Sequence, residues 1–97
     1  MEEWLSRTSL LVGEESLARL QKAHVLVVGV GGVGAYAAEM IVRAGVGEIT
    51  LLDADTVEES NLNRQLVALH SSLFRAKVDV LGERLLDINP CLKLYTL

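Results

Sequence analysis

Residues His24-Val25-Leu26-Val27-Val28 run directly into Gly29-Val30-Gly31-Gly32-Val33-Gly34 and then into Ala35-Tyr36-Ala37-Ala38. An apolar run of strand length, a G-x-G-x-x-G turn and an alanine-rich segment, in that order, constrain this chain more than any other feature. The glycines allow a tight strand-to-helix turn and a close approach of backbone to a ligand, while the opening helix supplies N–H groups with no intrahelical partner. Such a turn favours an anion, above all a phosphate. The ligand stays open on this turn alone. Similar turns serve dehydrogenases, flavoproteins, methyltransferases and nucleotide-activating enzymes, and a tight turn holding nothing uses the same glycines.

Composition agrees with a small α/β unit. The 97 residues are 51% hydrophobic with four aromatics, so the core is built from Val, Leu, Ile and Ala, as suits buried parallel strands under helices. A net charge of −4 argues against a nucleic acid held by charge alone. Cys91 is the sole cysteine, which excludes a disulfide framework or a cysteine metal cluster within this chain and fits a reducing cytoplasm. Beside Pro90, it reads as a small core residue. The start, Met1-Glu2-Glu3-Trp4, is acidic and does not read as a signal peptide. No apolar run approaches the roughly 20 residues that span a bilayer, so no membrane is expected.

The organisation follows from punctuation and periodicity. Residues 1–13 read as irregular or partly helical, and Glu14 to about Lys22 as a short helix with Leu17 and Leu20 on one face. A buried strand at His24–Val28 precedes a helix over about 33–44, which Gly45 and Gly47 end. A second buried strand spans Glu48–Leu52, and residues 56–72 read as a loop with one helical turn. A helix over about 75–88 carries Val78, Leu81, Leu85 and Ile88 on one stripe, Asn89-Pro90 stops it, and a third strand begins near Leu92. The division expected is 1–23, an N-terminal segment and helix, and 24–97, the first half of a nucleotide-binding domain. The fold class expected is α/β: half of a doubly wound, Rossmann-like parallel sheet, three strands in order 3-2-1, with an N-terminal helix. Strand 1 would then be an open apolar edge, which suggests a fragment of a larger protein rather than an edge covered by a partner chain.

Four further groups bear on chemistry. Asp53 lies 24 residues after Gly29 at the end of strand 2, where an acid accepts hydrogen bonds from ribose hydroxyls. Asp55 reads equally as a turn residue that bonds its own backbone. The run Ser60-Asn61-Leu62-Asn63-Arg64-Gln65 and the later Lys77 supply a planar fork and a mobile point charge, both suited to phosphate oxygens and to charge developing on a phosphate under attack. A dehydrogenase has no general need for these two cations. Asn61 and Asn63 could donate to phosphate or hold the loop. His24, opening a strand at the end away from the glycine turn, reads as structural, and His70 has no assigned role.

Taken together, Gly29–Gly34, Gly45-Val46-Gly47, Leu52-Asp53-Ala54-Asp55, Ser60–Gln65, Ala76-Lys77 and Ile88-Asn89-Pro90 resemble the ThiF/MoeB/HesA adenylating family, relatives of the ubiquitin-activating enzymes, over about residues 7–97. That resemblance implies ATP, with Mg2+, and activation of a carboxylate whose oxygen attacks the α-phosphate as pyrophosphate leaves. It assigns Gly29, Gly31, Gly32 and Gly34 to the phosphate turn, Asp53 to the ribose, and Asn61, Asn63, Arg64 and Lys77 to the phosphates, with Arg64, Lys77 and Arg7 as catalytic cations. It places Arg7 in an N-terminal arginine segment that reaches the ATP of a neighbouring subunit, hence a homodimer.

Within the family, Gly34–Glu39, Asn61–Gln65 and Arg7–Gly13 are most similar to the branch that dehydrates threonylcarbamoyladenosine in tRNA. The alternative is an adenylyltransferase for the C-terminus of a ubiquitin-like sulfur carrier, with a sulfur-carrier or cysteine-desulfurase-type partner. An NAD-binding oxidoreductase and a non-catalytic docking module remain as readings from other classes. Two departures stand out. Phe74 replaces the glycine that the family has three residues before its lysine, which leads one to expect a displaced loop at Lys77. The family's catalytic, magnesium-holding acid falls beyond residue 97, so the chain alone is expected not to turn over ATP.

Overall fold

A computed structural model describes residues 2–97. The N-terminal segment is more regular than expected: a 3-10 turn over Glu3–Leu5 leads into α1, Ser6–Val12, and then α2, Glu14–Lys22. Gly13 breaks the two helices apart at φ 86°, and its N–H closes α1 on the Ser9 carbonyl at 2.8 Å. Leu5 and Leu17 bury themselves, but α1 buries nothing and leaves Leu10 and Leu11 exposed.

The remaining elements alternate strand and helix: β1 (His24–Val28), α3 (Gly34–Arg43), β2 (Glu48–Leu52), α4 (Lys77–Ile88) and β3 (Lys93–Thr96). The strands form one parallel sheet in the order β1-β2-β3, the expected 3-2-1 arrangement. Register runs Val25↔Ile49 and Val27↔Leu51, then Ile49↔Leu94 and Leu51↔Thr96. Parallel neighbours require crossovers, and α3 and α4 supply them. Their apolar stripes, Ala35, Ala38 and Val42 on α3 with Val78, Leu81 and Leu85 on α4, bury the core together with Ile49 and Leu51. The loop between β2 and α4 closes one end of that core with Val57, Val67 and Ala68, and carries 3-10 turns at Glu59–Asn61 and His70–Ser72.

Three expectations are corrected. The strands are not buried on both faces: burial alternates along β1, and Leu26, Val28, Leu52 and Tyr95 are exposed on the face away from the core. Among the described residues, both crossover helices serve only one face. The helix expected from residue 75 begins at Lys77, because Ala76 is extended and bridges Thr56 in antiparallel fashion. Cys91 is exposed, since the turn that carries it precedes β3 at the rim.

Candidate functional site

The glycine turn leaves β1 beside the end of β2. Gly29, at φ 85°, donates to the Leu52 carbonyl at 2.8 Å, and Val30 N–H donates to Asp53 Oδ2 at 2.9 Å. Asp53 Oδ1 meanwhile accepts from Asp55 N–H at 2.8 Å. One carboxylate thus ties the turn after β1 to the loop after β2. Gly34 is held to glycine by proximity: a Cβ there would stand 1.7 Å from the Gly29 carbonyl oxygen. A Cβ on Gly32 would meet open space. None of the hydrogen bonds among the described residues uses the N–H of Gly31, Gly32 or Val33. Three donors at the start of a helix, without acceptors, form an anion-binding end.

Next to this turn lies a cavity of about 470 Å³, lined by Ala54, Asp55, Thr56, Glu58, Asn61, Arg64, Gln65 and Lys77. Lys77 is the first residue of α4 and only 6% exposed. Its N–H donates to the Asp55 carbonyl at 3.0 Å, and among the described residues its ammonium has no ion-pair partner. With its stem packed and its ammonium free of a partner at the cavity lining, Lys77 is placed to meet an anion that enters. Arg64 lies in the turn that follows the 3-10 segment Glu59–Asn61: its Nη1 donates to the Ser60 carbonyl at 3.2 Å and to Asn63 Oδ1 at 2.9 Å. Asn61 Oδ1 accepts from Glu58 N–H at 2.8 Å, and its own carbonyl accepts from Gln65 N–H at 2.9 Å. The lining carries two carboxylates and two cations, so its formal charges cancel; the position of the cations, not net charge, sets what binds.

Asn61, Arg64 and Lys77 therefore come together in one cavity, while Asn63 stands outside its lining and steadies Arg64. Asp53 and Gly29, Gly31, Gly32 and Gly34 form the adjoining turn. Arg7 lies apart from both, exposed on α1. Gln65, 9% exposed, had no role assigned from sequence, yet it lines the cavity and its Nε2 lies 3.5 Å from where a Gly31 Cβ would be. Its place four residues after Asn61, on the same turn of the loop, was the available signal. Among the described residues no group of three or more His, Cys, Asp or Glu side chains is placed to hold a metal ion.

Lys77 lines the cavity although Phe74 stands where a displaced loop was expected. Phe74 adopts the left-handed conformation itself, at φ 70°, and its N–H donates to the Val57 carbonyl at 2.8 Å. Val57 N–H returns a bond to the Arg75 carbonyl at 2.8 Å. Those bonds, with the Thr56–Ala76 bridge, hold the turn in place of a glycine and keep Lys77 in the cavity.

Comparison with known proteins agrees with this geometry. The chain is 51% identical over 85 residues to tRNA threonylcarbamoyladenosine dehydratase of Bacillus subtilis, covering 88% of this chain and 34% of that protein. It is 45% identical over 76 residues to molybdopterin-synthase adenylyltransferase of Salmonella typhimurium, covering 78% of this chain and 30% of that one. The crystal structure of the E. coli tRNA N6-threonylcarbamoyladenosine dehydratase, TcdA, in complex with ATP superimposes with a TM-score of 0.96 at 42% identity, over 98% of this chain and 39% of that chain. The chain thus spans about a third of the length of these relatives. The sequence pattern of the ThiF family matches residues 5–97, and the chain belongs to that family.

Proposed function

We propose that this chain forms the nucleotide-binding part of an ATP-dependent adenylating enzyme, with the threonyl carboxylate of threonylcarbamoyladenosine in tRNA as the group activated. The observation that carries the reading is Lys77, buried and without an anionic partner, in a cavity shared with Arg64 and adjoining a glycine turn with unused N–H groups. A phosphate chain satisfies both halves at once. The relatives' names point the same way: two are tRNA threonylcarbamoyladenosine dehydratases, one of them in complex with ATP.

In this reading Gly29, Gly31, Gly32 and Gly34 shape the turn that receives phosphate oxygens on backbone N–H groups. Asp53 fixes that turn and offers its remaining lone pairs to ribose hydroxyls. Arg64, oriented by Asn63 and the Ser60 carbonyl, and Lys77 hold the phosphates and offset charge that builds up as a carboxylate oxygen bonds to the α-phosphorus and pyrophosphate departs. The activated threonyl group then closes a ring and releases AMP. Mg2+ would neutralise phosphate charge on the bound nucleotide. Arg7 on the exposed α1 belongs at a neighbouring subunit's ATP in a homodimer. No helix among the described residues is long and apolar enough to cross a membrane, and a cytoplasmic setting suits the substrate.

A carrier-protein adenylyltransferase is the second reading, favoured by the likeness to the Salmonella enzyme. It shares the nucleotide site and differs in the carboxylate, with a ubiquitin-like sulfur carrier or a cysteine-desulfurase-type partner in place of tRNA. Calorimetric titration of the chain with ATP and with NAD tests the common core. ATP is expected to bind and NAD not, and Lys77→Ala is expected to weaken ATP by at least about tenfold. Tighter binding of NAD, or an unchanged affinity for ATP in the variant, would refute the assignment.

A further inference from the structure

Phe74 is the sole phenylalanine of the chain, it is held at φ 70°, and its ring is 80% exposed. A left-handed L residue costs free energy, and a ring left in water does not recover it through packing. Glycine would take the same φ without that cost. Strain kept where the free chain gains nothing from it points to a use outside the free chain.

The place of the ring narrows that use. Residues 74–77 run beside 55–57: Phe74 N–H donates to the Val57 carbonyl, Val57 N–H to the Arg75 carbonyl, and Lys77 N–H to the Asp55 carbonyl. Asp55, Thr56 and Lys77 line the cavity assigned above to ATP, so this ribbon holds Phe74 a short way outside it. Three residues of chain keep the Cα atoms of Phe74 and Lys77 within about 11 Å.

The segment that carries the ring is basic. Residues 60–78 hold Arg64, Arg75 and Lys77 and no acid. Arg75, next to Phe74 in sequence, also lines a second cavity, of about 200 Å³, with Arg84, Ser71 and Leu69, and no carboxylate lines it. Glu83 pairs with Arg75, and Glu39 with Arg84. The Arg75–Glu83 pair is exposed on both sides, so it is weak and opens readily to a phosphate. An exposed aromatic beside guanidinium groups suits single-stranded RNA, whose bases stack on the ring while its phosphates meet the cations. An acidic protein segment would use the cations but has no need of a flat ring held out in water.

We propose that Phe74 and Arg75 form a contact for the substrate RNA, in which a base next to the modified adenosine stacks on the ring and a neighbouring phosphate meets Arg75. The proposal rests on the tRNA reading above and adds to it the residues that hold the RNA strand while its threonyl carboxylate enters the ATP cavity.

Because Phe74 is the only phenylalanine, phenylalanine labelled with 13C in the ring reports this contact alone. Oligoadenylate, a single-stranded RNA, is expected to move the ring resonances upfield, and double-stranded RNA and poly-glutamate to leave them in place. Phe74→Gly is expected to weaken oligoadenylate about tenfold in fluorescence anisotropy while the thermal midpoint rises. Phe74→Tyr keeps the stacking face and is expected to bind within about twofold of the unaltered chain. Arg75→Gln is expected to weaken binding and to flatten its dependence on log salt by about one unit. Ring resonances unmoved at saturating oligoadenylate would overturn the proposal. So would a Phe74→Gly chain that binds oligoadenylate as tightly as the unaltered one, or a shift with poly-glutamate as large as with RNA, which assigns the surface to an acidic protein. A chain that binds ATP while its ring ignores RNA refutes this proposal alone. One that binds RNA through Phe74 but no ATP refutes the adenylating reading and leaves the RNA contact standing.

Discussion

Phe74 is the one residue other than glycine with positive φ among the described residues, and its ring is 80% exposed. A left-handed L residue costs about 1–2 kcal/mol, and an exposed ring returns little of that through burial. The turn persists because hydrogen bonds to Val57 and Ser72 and the bridge at Ala76 determine it from both sides. Phe74→Gly is therefore expected to stabilise the chain by up to about 1 kcal/mol, a rise of several degrees in a calorimetric melt, after glycine's extra unfolded-state entropy is set against the relieved strain. Phe74→Val, β-branched, is expected to lower the midpoint. ATP affinity should stay unchanged in Phe74→Gly, since Lys77 keeps its place. The sequence exposed this residue as a departure from the family pattern, but only the structure shows which hydrogen bonds hold its turn and that Lys77 lines the cavity.

Between elements, α3 and α4 are joined through a buried carboxylate. Glu39 on α3 is 7% exposed; Arg84 of α4 donates to its Oε1, and Arg43 one turn along α3 donates to Oε2 at 3.3 Å. The hydrogen bond from Arg84 holds the Glu39 carboxyl below its ordinary range, against the opposing effect of burial, and Arg43 adds to it. Both guanidinium groups are about half exposed, so the pair is worth less than a fully buried one. Glu39→Gln is expected to cost about 1–2 kcal/mol at neutral pH. A lowered folded-state pKa means the ionised carboxylate stabilises the fold at neutral pH. That contribution falls away as acid takes the pH down from the ordinary value of 4.5 through the depressed one. The gap in denaturation midpoint between the unaltered chain and Glu39→Gln should accordingly narrow below pH 4.5; a gap constant with pH would remove Glu39 from this role. The apolar stripe of α4 could be read from spacing. The cross-helix ion pair could not, because residues 45 positions apart meet only when both crossovers pack on one face.

For the whole molecule, three strands and two crossover helices bury one face of a sheet and leave Leu26, Val28, Leu52 and Tyr95 exposed on the other. The site stands where β1 and β2 end, at the edge of this half-sheet, and the chain spans about a third of its relatives' length. Binding and turnover should separate accordingly. The 97-residue chain, which spans about a third of its relatives' length, is expected to bind ATP but to release no pyrophosphate from it in the presence of tRNA. Sustained pyrophosphate release by this chain, followed with a coupled pyrophosphatase assay, would contradict that expectation.

What the sequence determined by itself was local and periodic. The strand–glycine–helix junction, the helix stripes and the order of three parallel strands follow from residue spacing, from glycine's φ freedom and from the right-handed crossover rule. Asp53, Arg64 and Lys77 were legible because charged and polar residues at strand ends and in loops have few structural reasons to be there. Tertiary structure decided which of them share a cavity. It set Asn61 with Arg64 and Lys77, put Asn63 behind Arg64, left Arg7 out on α1, and buried Gln65 against Gly31 with an acceptor unfilled. It also decided that the strands are covered on one face only. Burial and the pairing of distant polar groups depend on how elements pack across the whole sheet, and residue spacing along one chain segment does not encode that.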